Sequence, residues 1–203
     1  MQIKTSHTKG FTLVEVVVVV SLFTLLSLAL SGTIAMLYRT NGYAIAQAYE
    51  VSHARRGIEA TIRDIREMTF GDDGSYPLVE VSSTTIGFYS DIDRDDSVEY
   101  VRYVLATTTL YKYVYNAAGS PPVYTLTTPS ETYTISQFVQ NKVQATSTFA
   151  YVTESGLLAT STTPVTDIRF IQINVIINID PNRNPGQYML RSSAAPRNLK
   201  TTF

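Results

Sequence analysis

Side chains whose types and spacing could support chemistry fall in two stretches, and the first is Lys9-Gly10-Phe11-Thr12-Leu13-Val14-Glu15. Glu15 is the one charge in the 20 residues from Phe11 to Leu30, where Thr12, Ser21, Thr24 and Ser27 are the other polar side chains. As a helix, at about 1.5 Å per residue, such a run reaches the ~30 Å of a bilayer core. An ionised carboxylate there costs about 3 kcal/mol on insertion scales, so the position calls for a partner. Placement in the first turns of the helix returns about 0.3 to 1 kcal/mol through the macrodipole. A cut between Gly10 and Phe11 leaves an α-amino cation at the head of the run and makes Glu15 the fifth residue of the product. The amine of a neighbouring copy then supplies the charge that offsets the remainder. Met1 to Lys9 carry Lys4, His7 and Lys9 and no acid, a bias that holds this end in the cytoplasm and sends the rest of the chain outward.

The second stretch is Asp91-Ile92-Asp93-Arg94-Asp95-Asp96-Ser97-Val98-Glu99. Asp91, Asp93 and Asp95 alternate as in the first half of an EF-hand loop, which makes calcium the ion to consider. The second half departs from that pattern, with Asp96 where the loop needs glycine and Arg102 where it needs a bidentate glutamate. The simpler reading is a solvated acidic turn between two strands, and no cofactor is expected.

Composition removes several other chemistries. The chain has 16 basic and 17 acidic residues, and without Lys4 and Lys9 the balance is 14 to 17, a weak acidity that argues against nucleic-acid binding. It has no cysteine, so neither disulfides nor thiolate metal sites are available. Its two histidines are His7 and His53, and with none beyond position 53 a serine-histidine nucleophile or a histidine-ligated zinc has no basis there. His53 reads as a solvated helix residue.

The elements that must position these residues follow from periodicity. No proline occurs before Pro77, and Val51, Ala54, Ile58, Ile62, Ile65 and Thr69 recur at spacings of three and four, so the helix is expected to run from Phe11 to about Met68 with an amphipathic second half. Arg55, Glu59, Arg63 and Glu67 form a ladder of opposite charges on its outer side. Glycine, acids and proline in 70–77 end it. Strands are expected at 84–90, 98–105, 109–115, 123–126, 132–140, near 149–152, over 171–179 and at 187–191, with 141–164 otherwise a surface loop. Ile171, Ile173, Val175, Ile177 and Ile179 alternate with mostly polar residues, so that strand buries one face against the amphipathic half of the helix. Alternating Tyr111, Tyr113 and Tyr115 read as sheet packing before they read as a ligand platform.

Gly10-Phe11-Thr12-Leu13-Val14-Glu15, with its basic leader and apolar run, resembles the type III signal of type IV prepilins and pseudopilins. The resemblance implies cleavage after Gly10 by the prepilin peptidase, N-methylation of Phe11, and passage of the helix from the membrane into a filament. It also implies that Glu15 pairs with the N-terminus of an adjacent subunit. A secretory signal peptide ending near Ala29-Leu30-Ser31 would have a shorter apolar core, and a plain signal anchor has no use for Glu15. Ala54-Arg55-Arg56-Gly57-Ile58-Glu59 through Asp64-Ile65-Arg66, the tyrosine-rich hairpins and Arg197-Asn198-Leu199 are similar to minor pilins and to J-type minor pseudopilins of type II secretion. The expectation is therefore an α+β, pilin-like chain: a cleaved leader over 1–10, a membrane and assembly helix over 11–38, the exposed amphipathic half of that helix over 39–70, and a β-rich domain with an antiparallel sheet over 71–203. It is expected to be a non-enzymatic structural subunit of a type IV pilus-like or type II secretion filament. It would sit in the inner membrane with its C-terminal domain outside the cytoplasm, and its partners would be the prepilin peptidase and other pilins or pseudopilins. No small-molecule substrate is implied. A membrane-anchored binding module or adhesin is the alternative.

Overall fold

The computed structural model describes residues 10–183 and 185–197, so most of the leader and the closing Asn198-Leu199 to Phe203 lie outside the described residues. Among the described residues one helix, α1 (Leu13–Arg66), precedes ten strands and a short 3-10 turn at Val165–Asp167. The chain divides into two compact units, Met1–Ile45 and Ala46–Phe203.

In the first unit the stretch of α1 from Val16 to Leu30 carries no charged residue, and Leu13, Val14, Val16 to Val20, Leu22, Phe23, Leu25, Leu26, Leu28 and Leu30 are all exposed. It has the length and composition to cross a membrane. The hydroxyls of Ser21, Thr24 and Thr33 donate to the carbonyls of Val17, Val20 and Ala29 four residues back, so they add little polar surface to the helix.

In the second unit the rest of α1 covers two antiparallel sheets. Strands β1 (Leu78–Val81), β2 (Thr85–Ser90), β3 (Glu99–Ala106), β4 (Thr109–Tyr115) and β7 (Glu131–Ser136) form a sheet in the order β1-β2-β3-β4-β7. Strands β8 (Phe149–Thr153), β9 (Ile168–Ile177) and β10 (Tyr188–Ala194) form the other, in the order β10-β9-β8. A small hairpin of β5 (Ala117–Ala118) and β6 (Val123–Tyr124) interrupts the first sheet between β4 and β7. The core joins Ala54, Ile58, Ile62, Ile65 and Met68 to Phe88, Val101, Tyr103 and Leu105 of one sheet and to Ile171, Ile173, Val175 and Ile177 of the other. The i, i+4, i+8 spacing of the helix residues and the period of two in the strands are what let one stripe meet two sheet faces.

Two glycines mark close approaches. A Cβ on Gly57 would lie 2.6 Å from the Ile135 carbonyl oxygen, so α1 sits directly on β7 at that turn. Gly87 lies beneath the buried Tyr100 ring, whose hydroxyl would stand 2.1 Å from an added Cβ.

The outer face of the larger sheet carries the tyrosines. Tyr89, Tyr100 and Tyr115 are buried there with Tyr113 and Tyr124 against them. The ring centroids of Tyr89 and Tyr124 are 4.9 Å apart, so the β5–β6 hairpin forms a lid on this face. Beside them Arg102 holds Glu80 through two bonds of 2.6 and 2.9 Å.

Candidate functional site

The N-terminal site begins with how the helix starts. Thr12 precedes the first helical residue, its Oγ1 accepts from the backbone N–H of Glu15 at 3.3 Å, and its carbonyl accepts the first helical bond from Val16 at 3.2 Å. Thr12 and Glu15 therefore stand in the spacing of a capping box, in which the threonine closes the helix N-terminus and an acid occupies its third position. Gly10 and Phe11 fall before the cap, outside the helix and exposed. A peptidase needs its scissile bond outside regular structure and accessible, and the bond between these two residues is both.

Glu15 is exposed and, among the described residues, has no ion pair. The cap and the macrodipole return about 1 kcal/mol against an insertion cost of about 3, so roughly 2 kcal/mol is left for an intermolecular partner to supply.

In the acidic turn the carboxylates do different things. Asp91, Asp93 and Glu99 each present an oxygen within 4.8 Å of the others. Asp95 instead accepts from the backbone N–H of Ser97 at 2.9 Å and from its hydroxyl, and these bonds hold its carboxyl below the usual aspartate range. Asp96 takes φ 69°, the left-handed conformation that a glycine would supply, and Arg94 does likewise at φ 63°. Glu99 is buried and accepts from the N–H of Ile92 at 3.0 Å; burial pushes its carboxyl up, partly offset by that bond. Asp91 and Asp93 also close the turn, accepting from the backbone N–H groups of Arg94 at 2.6 Å and Asp95 at 3.3 Å. A further tie comes from Tyr124, which donates to the Val98 carbonyl at 2.6 Å, while Asp72 accepts from the Val98 N–H at 3.1 Å.

A polar cluster between helix and sheet was not among the residues singled out from the sequence. Asp64 Oδ2 accepts from the Tyr103 hydroxyl at 2.7 Å and from Lys112 Nζ at 2.6 Å, with Asp64 and Lys112 side chains only 12% and 13% exposed. Burial and then the Asp64 charge push the Tyr103 hydroxyl well above its ordinary value, so it stays a neutral donor. A signal was present: Lys112 stands between Leu110 and Val114 on the face that alternation assigns to the core. Asp64 flanks the apolar stripe of α1. Gln47, fully buried, was not among them either; it donates to the Ile177 carbonyl at 3.1 Å and accepts from the Ile179 N–H at 2.9 Å, fixing the end of β9.

A long apolar helix with a capped start and an exposed Gly-Phe junction, continuing into an α+β unit, defines a pilin-like layout. The family described as the prokaryotic N-terminal methylation motif matches residues 5–31. The chain carries a type IV pilin-like prepilin signal; a signal of this type implies processing by prepilin peptidase and assembly with other pilins. No curated protein matches the chain.

Proposed function

We propose that this chain is a minor pilin or pseudopilin, a structural subunit of a type IV pilus-like or type II secretion filament, and not an enzyme. The leader is removed after Gly10, Phe11 becomes the N-methylated first residue, and the C-terminal unit lies outside the cytoplasm until the helix leaves the inner membrane. The observation that carries the reading is Glu15: a carboxylate left about 2 kcal/mol short of compensation, at the fifth position of a product whose first residue bears a new α-amine. That amine, with an ordinary pKa near 8, is mostly charged at neutral pH and suits a charge-assisted contact in a low-dielectric filament core.

The test compares wild type, Glu15→Leu and the uncut control Gly10→Val in the native host, by immunoblot of membranes and of sheared filaments. Glu15→Leu is expected to be cut after Gly10, to stay in membranes and to be missing from filaments. Incorporation at the wild-type level while sibling pilins assemble normally would refute the pairing. A mature chain that still begins at Met1, by mass spectrometry of the N-terminal peptide, would refute the processing.

A further inference from the structure

The last turns of α1 end in a groove of about 440 Å³ lined by Glu59, Ile62, Arg63, Arg66, Glu67, Ser192 and Arg197. Both acids are engaged elsewhere: Arg55 reaches Glu59 at 3.9 Å and Arg94 reaches Glu67 at 3.3 Å. Among the described residues, the guanidiniums of Arg63, Arg66 and Arg197 have no carboxylate partner, and all three are exposed. Arg63 and Arg66 in the last turn complement the helix dipole. That accounts for two cations and not for Arg197, which the chain brings to the same place by donating its backbone N–H to the Arg66 carbonyl at 3.2 Å. Three gathered cations repel one another until an anion covers them.

The matching anionic surface is on the same molecule. Asp93, Asp95 and Asp96 are exposed in the turn between β2 and β3, and Asp93 and Asp95 use their oxygens only to close that turn. Its one base, Arg94, is tied to Glu67, and Glu67 also lines the groove. The acidic turn and the arginine groove therefore abut across the Arg94–Glu67 pair. A surface with a positive half beside a negative half is self-complementary under a two-fold rotation, because each half then faces its opposite.

We infer that the C-terminal end of α1 is a pairing surface for a second copy of this chain, with Arg63, Arg66 and Arg197 of each copy receiving the acidic turn of the other. The inference rests on the reading of the chain as a filament-type subunit, and it names a face through which two such subunits pair before assembly, since a two-fold contact closes on itself and does not propagate along a filament. The contact is polar and rim-like, so it is weak and salt-sensitive.

The experiment uses the full-length chain in detergent micelles, with association followed by sedimentation at about 50 and about 500 mM NaCl. Wild type is expected to form dimers whose dissociation constant rises about tenfold at the higher salt. Arg63→Glu/Arg66→Glu and Asp93→Lys/Asp95→Lys, each with a wild-type circular dichroism spectrum, are expected to weaken self-association by about tenfold. Mixing the two variants is expected to restore pairing as heterodimers. A wild-type chain that stays monomeric, or dimers indifferent to salt and to both variants, as contacts of the apolar helix alone would be, overturns the proposal. So does a mixture that fails to recover, and so does pairing that appears only after deletion of residues 198–203, which would assign the groove to the chain's own end. None of these outcomes alters cleavage after Gly10 or the role of Glu15, so the two readings fail separately.

Discussion

Replacing Lys112 by methionine tests how the helix is held on the sheet. The substitution keeps the length of the side chain and removes the cation that sits 2.6 Å from Asp64 Oδ2. At that distance two unit charges attract by about 6 kcal/mol for an effective dielectric near 20, most of it offset by the loss of hydration of both ions. The more telling quantity is the cost of leaving one ion behind. With its side chain 12% exposed, Asp64 cannot recover bulk hydration, and its carboxylate keeps the Tyr103 hydroxyl at 2.7 Å. Breaking such a pair costs about 3 kcal/mol. Asp64→Asn leaves Lys112, whose longer stem can carry its ammonium toward the cleft it lines with Asp93, Glu99 and Glu131, so about 1.5 kcal/mol is expected. The double variant, with an amide that still accepts from Tyr103, is expected to cost about 1.5 kcal/mol, less than Lys112→Met alone. The coupling energy is then about 3 kcal/mol. Urea unfolding of the full-length chain in micelles gives these values, read by the near-ultraviolet circular dichroism of its 14 tyrosines, undisturbed by tryptophan, of which it has none. A coupling below about 0.5 kcal/mol, the size of an exposed pair, would refute the argument that burial makes this contact matter.

Three further outcomes follow from single features. Stability is expected to fall as pH rises above about 10. Burial lifts the hydroxyls of Tyr100, Tyr103 and Tyr151 and lifts Tyr124 to about 12, so the unfolded chain releases these protons first; their contribution is complete below pH 10 and is lost through the folded values, and a flat alkaline melting profile would contradict it. Gly57→Ala places a methyl 2.6 Å from the Ile135 carbonyl oxygen, part of a strand backbone that cannot swing away, and is expected to cost about 2 kcal/mol despite alanine's better helix propensity; a stabilised variant would show that α1 and β7 separate without penalty. Calcium at millimolar concentration is expected to leave the melting temperature unchanged, whereas a rise that Asp93→Ala or Glu99→Gln abolishes would identify the acidic turn as an ion site.

What the chain alone determined is what depends on local patterns. The uninterrupted apolar run and the i, i+3, i+4 stripe from Ala54 to Ile65 specify one helix, because each lies within a single element and periodicity is its signature. Pairing of β2 with β3 and of β9 with β10 was legible for a related reason, since each pair is consecutive in sequence and joined by a stretch of turn residues, 91–98 and 178–187. The prepilin signal within residues 5–31 was legible because a processing signal is read as linear sequence. Tertiary structure decided everything that joins distant segments. Strand β7 crosses the β5–β6 hairpin to pair with β4, and β1, which no alternation marked, gains its partners only at the edge of the sheet. Helix α1 stops at Arg66, short of the expected Met68, because Met68 and Thr69 pair with Ser90 and Tyr89 at the end of β2. The surface ladder resolves into a single Arg55–Glu59 contact, since Glu67 is drawn to Arg94 of the acidic turn. Ile176 is buried although it alternates out of phase with Ile171 to Ile177, because the segment around Val139 and Asn141 closes over β9, its carbonyl and N–H bound by Gln140 and Asn141. Tyr103 and Lys112 lie 39 and 48 positions from Asp64, and no spacing rule reaches that far. The energy of a buried charge depends on what the fold places around it, and only the packed chain supplies those neighbours.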